Sequence, residues 1–526
     1  MALCRLALSK TLALGIITDI STKFSVLSFL DRFEHFAVAF ADTAWGTPLL
    51  VLLLGGGIFF LLYSRFVPYR HFGHGLEILT GKYEDPTAPG DINHFQALSS
   101  ALAATVGMGN IGGVAIAIVM GGPGALFWMW ISAIVGMATK FFTCTLAIMY
   151  RGKDSSGKIQ GGPMYFITEG LGRKWKPLAV FFSVAGLIGS APMFQSNQLT
   201  QIVRDEIFIP LQISGDQAHF WGDFVMGILI VGLVSLVIFG GIKRIGQVAA
   251  RLVPLMVFIY VISVLYIIFS NIAEVPYYLK LIFIDAFTGN AVAGGAVGVV
   301  IITGIRRAAF SNEAGIGLEA MAHGAARTRE PVREGLVAML EPLIDTIIVC
   351  SMTALAILIT GVWTTTDADG VTLTARAFAE GIPYVGVYIL ILCVVIFSIT
   401  TMFTYSYYGT KCLGFLIGAE RQHYYNYFYV IAIFFGSIAS ITAIVNIVDG
   451  MFAMMAIPTM TASLILSPHV YRATKDYFRR TEGRIQNTED REQNTEDREQ
   501  STESREQSTE DRVQKAGNRN ESSGIR

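Results

Sequence analysis

The chain has 526 residues, 53% of them hydrophobic and only 15% charged, with a formal net charge of −1 and a mean hydropathy of +0.53. So apolar a chain is excluded from the water-soluble globular class, and a near-neutral charge gives no footprint for a nucleic-acid partner. Long uncharged runs between residues 46 and 470 define instead an all-α polytopic membrane protein.

In chain order, residues 1–45 form a mixed N-terminal segment. Leu3–Ile20 is interrupted by Arg5, Lys10 and Asp19 and lacks a clear cleavage site, so it reads neither as a span nor as a signal peptide. Leu27–Ala41 carries Phe29, Phe33, Phe36 and Phe40 at helical spacing and reads as an interfacial helix. About eleven spans follow, near 46–64, 95–120, 124–149, 177–200, 221–240, 251–270, 291–305, 334–361, 383–410, 424–446 and 448–470. Residues 46–94 hold an extra first span and its loop, 95–470 the core, and 471–526 a tail.

The core span 95–120 is weakened in its middle by Gly107, Gly109 and Asn110. In hydrocarbon, loose backbone is tolerated only where it is buried in protein or lines a polar cavity. A break there aims free N–H groups from one half-helix, and free C=O groups from the other, at one midplane point. The first suits a carboxylate and the second a small cation; close packing of small residues is the alternative. A counterpart is expected at Gly294-Gly295-Ala296-Val297-Gly298, five spans later, although for that segment alone glycine packing is the better explanation. Two weakened spans in corresponding places of two five-span halves point to an inverted-repeat transporter.

Several polar side chains interrupt the other spans. Gln195 and Asn197 are costly facing lipid, so they face the bundle interior, to bind a substrate group or bond a neighbouring helix. Thr400 and Thr401 either return their hydroxyls to the backbone or supply hard oxygen ligands to an alkali cation. Lys140 snorkels or pairs. Glu341 and Asp345, four apart on one helical face, relay protons or pair with arginines of the preceding loop. Asp449, at a span edge, is expected to be solvated. The run Arg306–Gly317 reads as a cytoplasmic gate, hinge or plain connecting loop.

Loop charge orients the chain. One set of loops holds Arg65, Arg70 and Lys82; Arg151, Lys153, Lys158, Arg173, Lys174 and Lys176; Lys243, Arg244 and Arg251; Arg306, Arg307, Arg327, Arg329 and Arg333; and Lys411 and Arg421. Beyond the first span the opposite set holds only Arg204, Lys280 and Arg376. The positive-inside rule places the first set and the C-terminus in the cytoplasm. The tail repeats Gln486-Asn487-Thr488-Glu489-Asp490-Arg491-Glu492 with a period of seven but no apolar seam, so disorder is expected. Cys4, Cys144, Cys350, Cys393 and Cys412 have no metal-ligand spacing. No nucleophile–base pair or metal cluster stands at the midplane, so no catalytic residue is assigned and an enzyme is not expected.

Taken together, several motifs resemble the alanine/glycine:cation symporter family of bacteria and archaea. They are Gln96-Ala97-Leu98 through Thr105–Val114, Gly121-Gly122-Pro123-Gly124-Ala125, Met137-Ala138-Thr139-Lys140, Gly161-Gly162-Pro163-Met164-Tyr165, Ser311-Asn312-Glu313-Ala314-Gly315 and Tyr407-Tyr408-Gly409, in order over residues 46–470. The resemblance implies a five-plus-five inverted repeat of the leucine-transporter type preceded by one extra span. It implies sodium-coupled uptake of alanine or glycine across the plasma membrane, with no organic cofactor and a functional monomer. By position, the substrate carboxylate would meet backbone N–H groups around Thr105, Gly107, Met108, Gly109 and Asn110, with Gln195 facing the substrate, Asn197 beside it and Tyr405 in the pocket wall. Sodium would sit between carbonyls near Ala103 and Val106 and the hydroxyls of Thr400 and Thr401. Departures from the family pattern are Thr143, where glutamate is frequent, Tyr405, where tryptophan is frequent, and Glu341, where a small residue is frequent. Glu341 keeps a proton-coupled carrier as the alternative; a non-transporting membrane receptor is more remote.

Overall fold

A computed structural model describes residues 32–209, 219–288, 297–366, 368, 370–438 and 442–481. The chain divides into a unit ending at Val470 and a second unit, 471–526, described only over the helical residues 471–481. The first unit is a helical bundle.

Among the described residues, eight helices are long and apolar enough to cross a membrane, and one bent pair makes a ninth span. The first, α1 (Arg32–Tyr63), starts before the expected span and absorbs the described part of the expected interfacial helix. Residues 27–31 lie outside the described set. Within α1, Ala37, Ala41 and Trp45 are buried, with the Trp45 ring against Phe310 and Phe452.

The bent pair is α2 (His94–Thr105) and α3 (Gly109–Gly121), at 54° to each other. Helix α2 starts on a capping box: the Asn93 side chain accepts from Gln96 N–H, and the Gln96 side chain accepts from Asn93 N–H. It ends at Val106, whose backbone turns extended (φ −73°, ψ 93°), and α3 opens on a π-helical turn over Gly109–Gly113. Next come α4 (Ala125–Met149), α5 (Lys176–Gly189), α6 (Met193–Val203), α7 (His219–Ile238), α8 (Gly241–Ser270) and α9 (Val275–Thr288). Then follow α10 (Val297–Asn312), the short α11 (Glu319–His323), and α12 (Pro331–Ile359), which is π-helical over Leu343–Cys350. The series closes with α13 (Gly370–Gly381), α14 (Gly386–Ile417), α15 (Tyr424–Ile438) and α16 (Thr442–Met454), with helical residues 456–470 after it. Each of the eleven expected spans overlaps one of these helices.

Helix α4 is central: 83% of its apolar window is buried, against 33% for α7 and 39% for α8. It packs on α10 and on the first part of α12, while α2 packs on α8 and α14. Trp221, Phe258 and Phe269 stand exposed on α7 and α8. Large apolar side chains outside and Lys140, Glu334, Glu341 and Asp345 inside is the arrangement of a protein solvated by lipid.

One expectation about the second half is corrected, and another falls mostly outside the described residues. Gly298 sits inside α10, and Gly294 and Gly295 lie outside the described residues, so no break is described at that cluster. A break is described at 313–318, between α10 and α11, where Glu313 (φ 56°), Gly315 (φ 88°) and Gly317 (φ 97°) take left-handed backbone. Arg306 and Arg307 accordingly belong to α10, not to a basic loop. Arg306 pairs with Asp42 of α1 at 3.3 Å.

The remaining basic loops share one face. Arg151 donates to the carbonyls of Gly324 (2.9 Å), Pro89 (3.0 Å), Thr328 (3.2 Å) and Ala326, tying the loop before α2 to the loop before α12. Ile92 bridges Ala326 in parallel. Arg329 and Lys82 make exposed ion pairs on this face with Asp85 and Glu77.

Candidate functional site

The bend between α2 and α3 is held open by side chains from three other elements. Gly107 N–H donates to Asn110 Oδ1 at 2.9 Å. Asn110 Nδ2 in turn donates to Asp345 Oδ1 at 2.6 Å and to the Asp345 carbonyl at 3.1 Å on α12. Ser311 and Thr346 each donate a hydroxyl to Asp345 Oδ2 at 2.8 Å. The buried Asp345 is thereby filled with donors and anchors the bend, and the expected pairing with loop arginines does not occur. Thr105, at the end of α2, donates to Glu341 Oε1 at 3.0 Å. Glu341 also faces Lys140 Nζ at 2.6 Å, so both of these side chains pair deep in the bundle.

A small pocket of about 20 Å³ lies at the bend, and its lining includes Thr105, Gly107, Met108, Gly109, Gln195 and Thr401. Tyr405, Phe194, Phe310 and Glu313 complete its wall. It shares residues with a vestibule of about 390 Å³ that is lined by α3, α6 and the residues around Val445–Phe452. Arg307 and Asp449 face that vestibule. Asp449 is half-buried beside Trp45 and the two α10 arginines. The vestibule sits at the end of the bundle opposite the basic loops. Ten of the twelve residues of α2, on the basic side of the bend, are buried.

The predicted site residues divide on this geometry. Thr105, Gly107, Met108, Gly109, Gln195, Tyr405 and Thr401 meet at the pocket. Ala103 and Val106 are buried just behind it. Asn110 holds the bend through Asp345 rather than facing the pocket. Asn197 donates to the Gly436 carbonyl at 3.2 Å and so links α6 to α15. The adjacent threonines part company. Thr400 donates to the carbonyls of Ile396 (2.9 Å) and Phe397 (3.0 Å) and lies against Met256 of α8, whereas Thr401 borders the bend and donates to Phe397 O at 3.0 Å. A Cβ added at Gly107 would come within 2.8 Å of Thr401 Oγ1, which measures how closely α14 approaches the broken backbone.

Sequence reasoning missed the place of Glu313 in the pocket wall and a buried chain of titratable groups. From the basic side inward, His94 meets Glu334, Glu334 Oε1 meets His323 Nδ1 at 2.5 Å, and His323 Nε2 lies 3.9 Å from Glu341 Oε2. The signal available was the His323–Glu334–Glu341 spacing on either side of a turn, which has no recognisable period.

A polar pocket at the break of a membrane helix, reached through a vestibule from one face, is built to hold a small solute inside a bilayer; the class is a multi-pass membrane transporter. The chain belongs to the Sodium:alanine symporter family, whose profile matches residues 30–492. It is 40% identical to the sodium/alanine symporter AgcS of Methanococcus maripaludis, over 82% of this chain and 94% of that one. It is 33% identical to the probable sodium/glutamine symporter GlnT of Bacillus subtilis, over 85% and 91% of the two chains. The putative sodium/proton-dependent alanine carrier protein YrbD of the same bacterium is 34% identical over 84% and 92%. A solved structure of MhsT with L-phenylalanine aligns at 12% identity with a TM-score of 0.47, covering 73% of this chain and 99% of that chain.

Proposed function

We propose that this protein carries a small neutral amino acid, alanine or glycine, into the cell by sodium-coupled symport. The observation that carries the reading is the 54° bend, which brings the backbone of Gly107–Gly109 and the side chains of Gln195 and Thr401 to one buried pocket. Gly107 N–H is taken by Asn110 Oδ1 and Asn110 N–H by the Gly107 carbonyl, which leaves the N–H groups of Met108 and Gly109 for the substrate carboxylate. Carbonyls at Ala103 and Val106 and the Thr401 hydroxyl supply hard oxygens for sodium. Thr400 is left out of that set, since its hydroxyl points at α8.

The basic face and the C-terminus are assigned to the cytoplasm by the positive-inside rule. The vestibule then opens outward and α2 is the closed inner gate. Breaks at 106–108 and at 313–318, in the first and sixth core spans, fit an inverted repeat of five spans each. The site is complete within one chain, which fits a working monomer. Affinity to an alanine symporter supports the substrate, and the glycine-rich bend supports its small size.

A second reading, proton coupling, is favoured by one observation: the buried chain from His94 through Glu334, His323 and Glu341 to Lys140 and Thr105. Counterflow separates transport from a receptor role. Liposomes holding the purified protein and preloaded with unlabelled alanine should accumulate labelled alanine transiently, and no accumulation above empty liposomes would reject a carrier. Replacing sodium by choline at constant pH should abolish the signal for sodium coupling and leave it for proton coupling.

A further inference from the structure

The pocket at the bend holds two buried acceptors that no donor among the described residues satisfies. Glu313 is 1% exposed; its Oε1 accepts the Tyr405 hydroxyl at 2.6 Å, while its Oε2 has no hydrogen-bond partner. Gln195 is 9% exposed, and its Oε1 likewise has none. Both residues line the pocket. An unmet acceptor in a buried site is costly, and more so on a carboxylate.

The backbone places Glu313 there deliberately. Its φ of 56° is unusual for a residue with a Cβ, and such conformations persist only where the surroundings impose them. Glu313 N–H donates to the Ala309 carbonyl at 3.1 Å and its own carbonyl accepts from Ile316 N–H at 2.9 Å. Asn312 Oδ1 accepts from Ala314 N–H at 3.0 Å. These bonds fix the turn that aims the side chain into the pocket.

No basic side chain among the described residues stands within ion-pair distance of Glu313, and the ammonium of Lys140 is held by Glu341. The region has acceptors in excess and fits a ligand rich in donors and positively charged. Met108 and Gly109, at the N-terminal end of α3, line the same pocket and offer donors. A zwitterion carries both complementary ends.

We propose that Glu313, together with Gln195, receives the α-ammonium group of the substrate. Tyr405 acts as a positioning residue that occupies Oε1 and leaves Oε2 for the ligand. The assignment rests on the amino-acid transport reading above and adds to it the group that demands an amine.

The test is a chemical cycle between ligand and protein. Sodium-driven uptake of labelled alanine is measured in liposomes holding the full-length protein, with alanine or propionate as competitor; propionate keeps the carboxylate and methyl of alanine and lacks the ammonium. In the wild type, propionate should compete at least ~100-fold more weakly. Glu313→Gln should weaken alanine by about tenfold or more, the range of a hydrogen bond to a charged group, and change propionate by less than about threefold. Glu313→Asp, which retains the charge one methylene further back, should lose less alanine affinity than Gln and carries the test if Gln does not fold. Gln195→Leu should lower the alanine-to-propionate ratio by severalfold. Equal losses for both ligands, or a shifted sodium curve with an unchanged ratio, would give Glu313 a structural or sodium role and overturn the assignment while leaving transport intact. Wild-type liposomes that take up no alanine would overturn the transport reading and this assignment with it.

Discussion

Lys140 Nζ lies 2.6 Å from Glu341 Oε1, and neither side chain has any exposed surface. The pair joins the central helix α4 to α12 directly behind Thr105, whose hydroxyl donates to the same Glu341 oxygen. Burying two charges this deeply is tolerated because each is the other's counter-ion. Removing one partner leaves the other uncompensated.

Lys140→Met alone should therefore destabilise the fold strongly, by about 3–5 kcal/mol. Lys140→Met with Glu341→Gln should be less destabilised than Lys140→Met, because the stranded charge is gone while a group able to accept from Thr105 remains. Thermal unfolding of the purified proteins in detergent checks this. A double variant as unstable as the sum of the singles would mean that the two residues are not coupled.

The separation of Thr400 from Thr401 gives a paired test of the sodium site. Thr401→Ala should raise the sodium concentration for half-maximal uptake several-fold, and Thr401→Ser should stay near wild type. Alanine affinity in Thr401→Ala should fall at low sodium and recover at saturating sodium, since linked sites affect each other reciprocally. Thr400→Ala should leave the sodium curve in place. A shift for Thr400→Ala and none for Thr401→Ala would put the cation on the other side of α14.

Pocket size can be changed at a position that has room. A Cβ at Gly109 would meet nothing closer than 3.5 Å, at Phe310, whereas one at Gly107 would stand 2.8 Å from Thr401 Oγ1. Gly109→Ala should fold and should weaken alanine more than glycine in competition assays. Gly107→Ala should lose activity through displacement of the α14 contact. In the wild type, glycine, alanine and serine should compete, and leucine should not. Strong inhibition by leucine would contradict a pocket this small.

Much of this architecture was legible in the sequence, and the exceptions have physical causes. The bend at 106–108 was visible because Gly107, Gly109 and Asn110 weaken a helix locally, a property of the residues themselves. The second bend was sought at the glycine cluster 294–298, of which 294–296 lie outside the described residues and Gly298 is helical. The bend described at 313–318 depends on Glu313, whose left-handed backbone is imposed by surrounding contacts; only Gly315 and Gly317 beside it carried a signal. Arg306 and Arg307 misled for a related reason: adjacent arginines resemble a cytoplasmic loop, but Asp42 supplies a counter-charge to Arg306 from α1. The partner of Lys140 was equally hidden. Thr143, one turn along α4, bonds Glu319 at 3.0 Å, and the carboxylate for Lys140 comes from 201 positions away, on α12. Such pairings are properties of the fold, not of spacing along the chain.

The heptad tail is expected to be dispensable for transport. Ending the chain after Thr481 removes the polar repeats and none of the helices of the first unit. Uptake by the truncated protein in liposomes should be near that of the full chain. A truncated protein that folds but does not transport would make the tail regulatory.

The central claim is sodium-coupled entry of a neutral zwitterion, and it has an electrical signature. One sodium ion moving down ~100 mV gains about 2.3 kcal/mol, enough for roughly forty-fold accumulation at about 1.4 kcal/mol per tenfold. The decisive measurement is alanine uptake into liposomes with inward sodium, with and without an inside-negative potential set by potassium and valinomycin. Sodium-dependent uptake stimulated by the potential is the result expected here. Uptake driven equally well by a proton gradient in the absence of sodium would contradict sodium coupling and shift the coupling role to the buried chain that ends at Glu341.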